Sequence, residues 1–76
     1  MKELLTLIAK ELVNDPDKVS VKQIDQGNTT VLELSVAPED MGKVIGKKGK
    51  RAQAIRSVIK AKATLDGKRV IVDIVE

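Results

Sequence analysis

The segment Gly46-Lys47-Lys48-Gly49 constrains the fold of this chain more than any other part of its sequence. It follows the apolar pair Val44 and Ile45 and precedes a basic stretch of helical periodicity that runs to Lys62. Two glycines three residues apart allow a tight, exposed turn, because neither carries a Cβ atom. A helix that starts after such a turn directs unpaired amides and its positive dipole end toward it. The sequence therefore predicts two helical segments joined by a turn that holds a phosphate close to the main chain.

The composition of the 76-residue chain excludes several classes of chemistry. This length predicts one small domain, residues 1–76, without a deep active-site cleft. The chain has no Cys and no His, which removes disulfides, thiolates and the commonest general base and metal ligand. It has no Phe, Tyr or Trp, so bases cannot stack on aromatic rings. We therefore expect a protein that is not an enzyme and has no metal, cofactor or small-molecule substrate.

Basic residues are concentrated between Gly42 and Lys62. Eight of the fourteen Lys and Arg residues lie in this segment, which contains no Asp or Glu. The rest of the chain combines six basic residues with all eleven acidic ones and is net negative. A solvated helix face usually mixes both signs, whereas a segment of one sign is typical of a surface that binds a polyanion.

Hydrophobic periodicity predicts an α+β fold with the order α-β-β-α-α-β. The expected segments are a helix at 4–13, strands at 19–24 and 32–36, helices at 38–45 and 50–62, and a strand at 70–75. A short turn makes the first two strands antiparallel, and the helical crossover makes the second and third parallel. The result is a three-stranded mixed sheet with the helices packed on one face.

Three local expectations depend on single residues. Broken alternation before Ile24 predicts a bulge or strand end near Gln23. Helical spacing places Val58 on the buried side of the third helix. The last strand is apolar except for Asp73 and is therefore expected to be well buried.

The motif Val44-Ile45-Gly46-Lys47-Lys48-Gly49, followed by a helix that contains Ile55, resembles the core motif of the KH family. In that family the GxxG loop clamps backbone nucleotides. A helix before the strands, two helices joined by GxxG and a last strand are similar to the type II arrangement, found mostly in bacteria. With GKVIGKKGKRAQAIR at its centre, the chain also resembles the small stand-alone KhpA family of bacterial KH proteins. The resemblance covers nearly the whole chain.

This resemblance implies a cytoplasmic protein that binds single-stranded RNA as a chaperone or regulator linked to cell shape and division. It also implies a homodimer, or a heterodimer with a larger KhpB-like KH protein. No apolar run approaches membrane-spanning length and the N-terminus is not a signal peptide, so no membrane partner is expected. Ala52 departs from the bulky aliphatic of many KH domains, which predicts weaker base contacts there.

The residues expected to contact RNA surround the GxxG loop. Its glycines allow the backbone to approach the sugar-phosphate chain, and its lysines supply charge without reading sequence. The family implies that Ile45 lines the groove that holds bases. The expected RNA-binding residues are Gly42, Lys43, Ile45, Gly46, Lys47, Lys48, Gly49, Lys50 and Arg51.

Several assignments stay open. Gly42 permits either close packing within the chain or close approach of a nucleotide. Arg56, Lys60 and Lys62 fit a solvated role at least as well as RNA contact. Strand residues 34–36 are candidates for the second wall of the groove.

Other classes of protein compete with this interpretation. The stretch from Gly42 to Lys47 is similar to a P-loop, but it has three residues between its glycines instead of four, and Lys48 replaces the required Ser or Thr. The main alternative is a protein-interaction scaffold with a KH fold, with the first or third helix as the partner surface. A KH module of a ribosomal or transcription-elongation protein is another. DNA binding also stays open, because phosphate contacts do not distinguish the sugars.

Overall fold

The computed structural model describes residues 1–75, which form three α-helices and a three-stranded sheet. The elements are α1 (Lys2–Leu12), β1 (Ser20–Gln26), β2 (Thr29–Ser35), α2 (Met41–Ile45), α3 (Lys50–Leu65) and β3 (Arg69–Val75). Single 3₁₀ turns lie at Pro16–Lys18, Pro38–Asp40 and Lys47–Gly49. The predicted order and the α+β class are confirmed.

The sheet has β2 at its centre, between β1 and β3. β1 and β2 form an antiparallel hairpin, and Gly27 has φ 63° in its two-residue turn, where glycine tolerates a positive φ. β2 and β3 run parallel, as a helical crossover requires. The pairing of β1 is continuous from Ser20 to Gln26, so the expected bulge is absent. Gln23 pairs with buried Leu32 but is itself exposed, which shows that the helices leave this end of β1 uncovered.

The core lies between the helices and the face of the sheet that they cover. Leu5 and Ala9 of α1 are fully buried, as the periodicity of that helix predicts. Every helix and strand contributes to one apolar cluster, whose buried members are Leu5, Ala9, Val21, Leu32, Leu34, Val36, Val44, Ile55, Ile59 and Val72.

Two expectations about burial are wrong. Val58 is 49% exposed, because the buried face of α3 instead runs through Ala52, Ile55, Ile59 and Ala63. β3 is an edge strand that buries only Val72 among its residues. Ile71, which alternates with Val72 and points to the face without helices, is 46% exposed.

A buried carboxylate joins the end of α1 to the start of α2. Asp40 is 2% exposed, and its oxygens accept hydrogen bonds from the backbone amides of Asn14 at 3.3 Å and Asp15 at 3.1 Å. Lys43 Nζ lies 3.8 Å from Asp40 Oδ1. The carboxylate therefore fixes α1 against the short helix that leads into the GxxG loop.

Asp40→Ala is expected to lower the free energy of unfolding by about 2–3 kcal/mol, because two partly buried amide hydrogen bonds lose their acceptor. Asp40→Asn keeps one acceptor oxygen and is expected to lose less. Asp66→Ala is the matched control: it removes only an exposed ion pair with Lys62 and is expected to change stability by less than about 0.5 kcal/mol. Denaturant unfolding followed by circular dichroism measures all three; equal losses for Asp40→Ala and Asp66→Ala would contradict the assignment.

Candidate nucleic-acid interface

The GxxG loop is a tight turn between α2 and α3 with three positive φ angles. Gly46 ends α2 at φ 75° and ψ 176°, a conformation essentially restricted to glycine. Gly49 precedes α3 at φ 74° and ψ 8°, in the left-handed region. Lys48 has φ 57°, which is uncommon for a residue other than glycine. The predicted roles of both glycines as the end of one helix and the start of the next are confirmed.

Internal hydrogen bonds hold the turn closed. The amide of Gly46 donates to the carbonyl of Gly42 at 2.9 Å, and the amide of Gly49 donates to the carbonyl of Gly46 at 3.2 Å. The Nη1 atom of Arg51 donates to the carbonyl of Lys43 at 2.6 Å. This guanidinium therefore caps the C-terminal turn of α2, where cations are favoured. Arg51 thus holds the two helices together, a role additional to the predicted phosphate contact.

Gly46 and α3 touch so closely that no side chain fits between them. A Cβ atom added to Gly46 would lie 2.5 Å from Arg51 Cβ and 3.0 Å from Arg51 N. Gly49 has open space around the same position. The first glycine of the motif is therefore required by contact as well as by backbone conformation, and the second by conformation alone.

The lysines of the loop project into solvent. Lys47, Lys48 and Lys50 are exposed, and within residues 1–75 none of the three forms an ion pair. Lys43 differs, because its amine is drawn toward Asp40. Three unpaired cations therefore surround the turn, whose glycines are partly exposed.

Gly42 and Ile45 lie on the same short helix, directly before the loop. Gly42 is exposed, and a Cβ atom added there would meet no atom within 4 Å. The packing explanation for Gly42 is therefore wrong, and close approach of a nucleotide stays a prediction. Ile45 is 37% exposed, which places apolar surface beside the turn.

A groove of about 370 Å³ lies between α3 and β3. Its lining includes four cations and no carboxylate: it consists of Arg56, Lys60, Ala63, Thr64, Lys68, Arg69, Val70, Ile71 and Val72. The Nε atom of Arg56 donates to the carbonyl of Val72 at 3.3 Å, so it bridges the helix and the strand edge. The groove thus combines apolar walls with positive charge, as a site for bases and phosphates requires.

Strand residues 34–36, the candidates for the second wall, do not line this groove. Leu34 and Val36 are 0% and 6% exposed, because β2 is the central strand and its apolar side chains face the core. The wall is the edge strand β3 instead. Lys68 and Arg69 were missed, although the Asp66-Gly67 turn, which returns the chain along the basic side of α3, was a usable signal.

Among residues 1–75, no helix is long and apolar enough to cross a membrane. Over the same residues, no group of three or more His, Cys, Asp or Glu side chains is placed to hold a metal ion.

A family model and curated relatives both match this chain over nearly its whole length and point to the same family. The family model of the KhpA/KhpB KH domain matches residues 2–74. The RNA-binding protein KhpA of Clostridium acetobutylicum is 57% identical over 75 residues, which cover 99% of this chain and 100% of that protein. KhpA of Halalkalibacterium halodurans is 51% identical over 76 residues, covering 100% of both.

Solved structures share the fold at lower identity. A crystal structure of Era with MgGDPNP and nucleotides 1506–1542 of 16S ribosomal RNA superposes with a TM-score of 0.67 and 24% identity. The match covers 96% of this chain and 28% of that one. Aquifex aeolicus Era bound to GDP and AlF4⁻ gives a TM-score of 0.66 and 22% identity, with the same coverage. This chain therefore spans little more than a quarter of Era, and the likeness concerns the fold alone.

Proposed function

Because this chain belongs to the KhpA/KhpB family of KH domains, we propose that it binds single-stranded RNA at the GxxG loop. The observation that carries the proposal is the loop geometry: a tight glycine turn between two helices, partly exposed and surrounded by unpaired Lys47, Lys48 and Lys50. Backbone approach positions the sugar-phosphate chain, and the lysines raise affinity without selecting a sequence. The bound RNA contacts the predicted set of residues from Gly42 to Arg51.

The bases next to the bound phosphates lie along Ile45 and the groove between α3 and β3. The groove offers aliphatic surface at Val70 and cations at Arg56 and Lys60. Without aromatic side chains, bases are held by aliphatic contact and by hydrogen bonds to the backbone. We therefore expect modest affinity for each domain, a loose sequence preference and a strong dependence on salt.

The salt dependence of RNA binding tests this proposal. With three or four phosphate contacts on a single strand, affinity is expected to fall about 20- to 50-fold between about 50 and 200 mM salt. Fluorescence anisotropy with a short labelled RNA measures it, and a DNA strand of the same sequence tests whether the 2′-OH is read. Lys47→Gln is expected to reduce the salt slope by about 0.7. Lys10→Gln, at an exposed lysine on α1, is the matched control. RNA binding whose affinity does not depend on salt would favour the scaffold alternative.

The proposal extends to a cytoplasmic RNA chaperone or regulator connected to cell shape and division. This part is supported by the resemblance to the KhpA proteins. In this proposal, residues 1–76 form one KH domain, and the domain acts as a homodimer or together with a KhpB-like partner.

The outer face of α3 supports the proposed homodimer. We name the row Ala54, Val58, Ala61 and Leu65 the outer stripe; its members are all exposed and are spaced four, three and four residues apart, the spacing of a seam between two helices. Val58 is 49% and Leu65 83% exposed. The outer face of the sheet is a second candidate: it exposes Ile71 at 46%, although Ile24 and Val31, which pair across it, are partly buried.

Val58→Asp is expected to convert a dimer into a monomer, because it places a charge at the centre of the outer stripe. Size-exclusion chromatography with light scattering measures the mass. Leu7→Asp is the matched control, since Leu7 is 59% exposed on α1 and lies outside the stripe; it is expected to leave the dimer intact. A Val58→Asp protein that remains dimeric would move the interface elsewhere.

A further inference from the structure

We propose that a polar pocket beyond the groove between α3 and β3 binds a further base of the RNA, and that Asp25 selects a base with an exocyclic amino group. The inference rests on the proposed RNA binding at the GxxG loop. It adds a second contact region, a minimum length of strand and one position of base preference to a surface that is otherwise loosely selective.

The pocket adjoins the groove at the end that is far from the loop. It lies between the β1–β2 hairpin and the turn from α3 to β3, and its volume is about 920 Å³. Ligand sites have volumes of roughly 300–1,000 Å³. We name it the hairpin pocket; its polar side chains are Gln23, Asp25, Asn28, Thr30, Lys68 and Arg69. Lys68 and Arg69 also line the groove, so the two sites are adjacent and share both cations.

The floor of the hairpin pocket is the end of the covered sheet face that the helices do not reach. On this face the core residue Leu32 is followed by Thr30, and Asp25 pairs with Thr30 across the hairpin. Gln23 and Asp25 are exposed, whereas Val21 at the other end of the same face is buried. The groove therefore ends at a floor of hydrogen-bonding side chains in place of an apolar wall.

Asp25 leaves one carboxylate oxygen available in this pocket. Its Oδ1 atom accepts hydrogen bonds from Gln23 Nε2 at 3.2 Å and from Thr30 Oγ1 at 3.0 Å. Both donors use the same oxygen, and within residues 1–75 Oδ2 has no hydrogen-bond or ion-pair partner. Among the described residues that line the groove or the pocket, Asp25 is the only carboxylate. An oriented acceptor is therefore free for a donor on a ligand.

A carboxylate oxygen distinguishes bases by the donors that they present. Adenine, cytosine and guanine each carry an exocyclic amino group, and Asp side chains accept from cytosine N4 in direct readout. Uracil carries a carbonyl oxygen in place of that amino group. A uracil carbonyl that faces Asp25 Oδ2 would oppose two acceptors and leave both without a donor. Bases with an amino group are therefore favoured at this position.

Lys68 and Arg69 offset the negative charge of Asp25 for an incoming strand. A carboxylate repels a nearby phosphate, so Asp25 without cations beside it would weaken RNA binding. Lys68 and Arg69 line the same pocket, and within residues 1–75 neither forms an ion pair. They are thus available to hold the phosphate next to the selected base by charge-assisted hydrogen bonds.

The length of α3 sets the strand that reaches the hairpin pocket. Its 16 residues make a helix of about 24 Å. A stacked strand covers this distance in about seven nucleotides at ~3.4 Å each, and an unstacked strand needs fewer. A strand of about four nucleotides therefore fills only the clamp at the GxxG loop. A strand of about ten reaches the hairpin pocket as well.

Strand length and base identity together test the inference. Anisotropy competition titrations compare oligocytidine with oligouridine at about four and about ten nucleotides. For wild type, the preference for cytidine is expected to be about 5- to 10-fold larger in the longer pair than in the shorter pair. Asp25→Ala is expected to reduce the preference of the longer pair to that of the shorter pair.

Asp73→Ala is the matched control for Asp25→Ala. Asp73 is exposed on β3 and lines neither the groove nor the hairpin pocket, so its replacement removes the same charge from a different place. Either variant raises the affinity for every strand through the overall field, and the ratio of cytidine to uridine binding cancels this effect. Asp73→Ala is expected to keep the wild-type preference.

Asp25→Asn separates base selection from a structural role of Asp25 in the hairpin. The amide oxygen is expected to keep the hydrogen bonds from Gln23 and Thr30, which places the amide donor where Oδ2 lies in wild type. The preference in the longer pair is then expected to reverse toward uridine, because a uracil carbonyl accepts from this donor. A residue that only stabilises the hairpin would not reverse the preference. This variant also decides the question should Asp25→Ala not fold.

Amide NMR locates the additional contact. Gly27 lines the hairpin pocket, whereas Gly46 and Gly49 lie in the GxxG loop. Oligocytidine of about ten nucleotides is expected to shift the amides of all three glycines. Oligocytidine of about four nucleotides is expected to shift only Gly46 and Gly49.

Each failure has a separate meaning. The base contact is overturned by an Asp25→Ala or Asp25→Asn protein that keeps the wild-type preference, or by a Gly27 amide that does not respond to the longer strand. In each of these cases binding at the GxxG loop still stands. A wild-type protein that binds none of the strands overturns the proposed function, and this inference with it.

Discussion

Replacing Lys47 and Lys48 together by Asp is expected to weaken binding of a short single-stranded RNA by at least about 10²-fold at low salt. Both side chains are exposed and unpaired in the loop where we propose that the backbone approaches the phosphates. Reversal of both charges converts attraction into repulsion at that point. The backbone should tolerate the change, because Asp is more common than Lys at the positive φ that Lys48 adopts.

The control for this variant carries the same change in net charge elsewhere. Lys2 and Lys10 are exposed on α1, away from the loop, and Lys2→Asp/Lys10→Asp is expected to weaken binding only a few-fold through the overall field. Circular dichroism establishes that both variants fold, and anisotropy gives the affinities. Equal losses in the two variants would show that RNA responds to net charge and not to the loop.

Gly46→Ala is expected to lower the free energy of unfolding by about 2–4 kcal/mol and to abolish RNA binding. The added Cβ atom would overlap Arg51 at 2.5 Å, and φ 75° with ψ 176° is strained for any other residue. Relief of this overlap requires α2 and α3 to separate, which also breaks the hydrogen bond from Arg51 to Lys43. Chemical denaturation and anisotropy measure the two effects.

Two other glycines serve as graded controls for Gly46→Ala. Gly49→Ala meets no atom within 4 Å and is expected to cost about 1–2 kcal/mol from its left-handed backbone alone. Gly42→Ala lies in a helix with open space and is expected to stabilise the fold by about 0.5–1 kcal/mol. A loss of RNA affinity in this stable variant would support nucleotide approach at Gly42. Equal stability of the Gly46 and Gly49 variants would refute the contact with Arg51.

The order of elements and the position of the loop could be read from the sequence because they depend on local patterns. Helical spacing in α1, alternation in β2 and the two glycines of the loop each act over a few residues. The sheet order was also accessible, because a hairpin followed by a helical crossover fixes which pairs are parallel. These features are the ones that the structure confirms.

The groove and the capping contacts depend on pairs that are distant in sequence. Asp40 finds its amide partners 25 and 26 residues away, and no local pattern encodes that contact. The apolar sequence of β3 predicts a buried strand. Its place at the edge of the sheet instead exposes Ile71, and the strand forms one wall of the groove. Val58 shows a further limit: an apolar residue at helical spacing fits a core and a partner surface equally well.

The most direct test of RNA binding at the GxxG loop is a titration of ¹⁵N-labelled protein with short single-stranded RNA, followed by amide NMR. The five glycines give resolved reporters, with Gly42, Gly46 and Gly49 in the proposed site and Gly27 in the hairpin turn at the opposite end of β2 from α2. The largest shift changes are expected at residues 42–51, and smaller ones along the groove at Arg56, Lys68 and Arg69. Gly27 is expected to stay unchanged. Saturable changes that leave Gly46 and Gly49 unaffected would show that RNA binds elsewhere on the molecule.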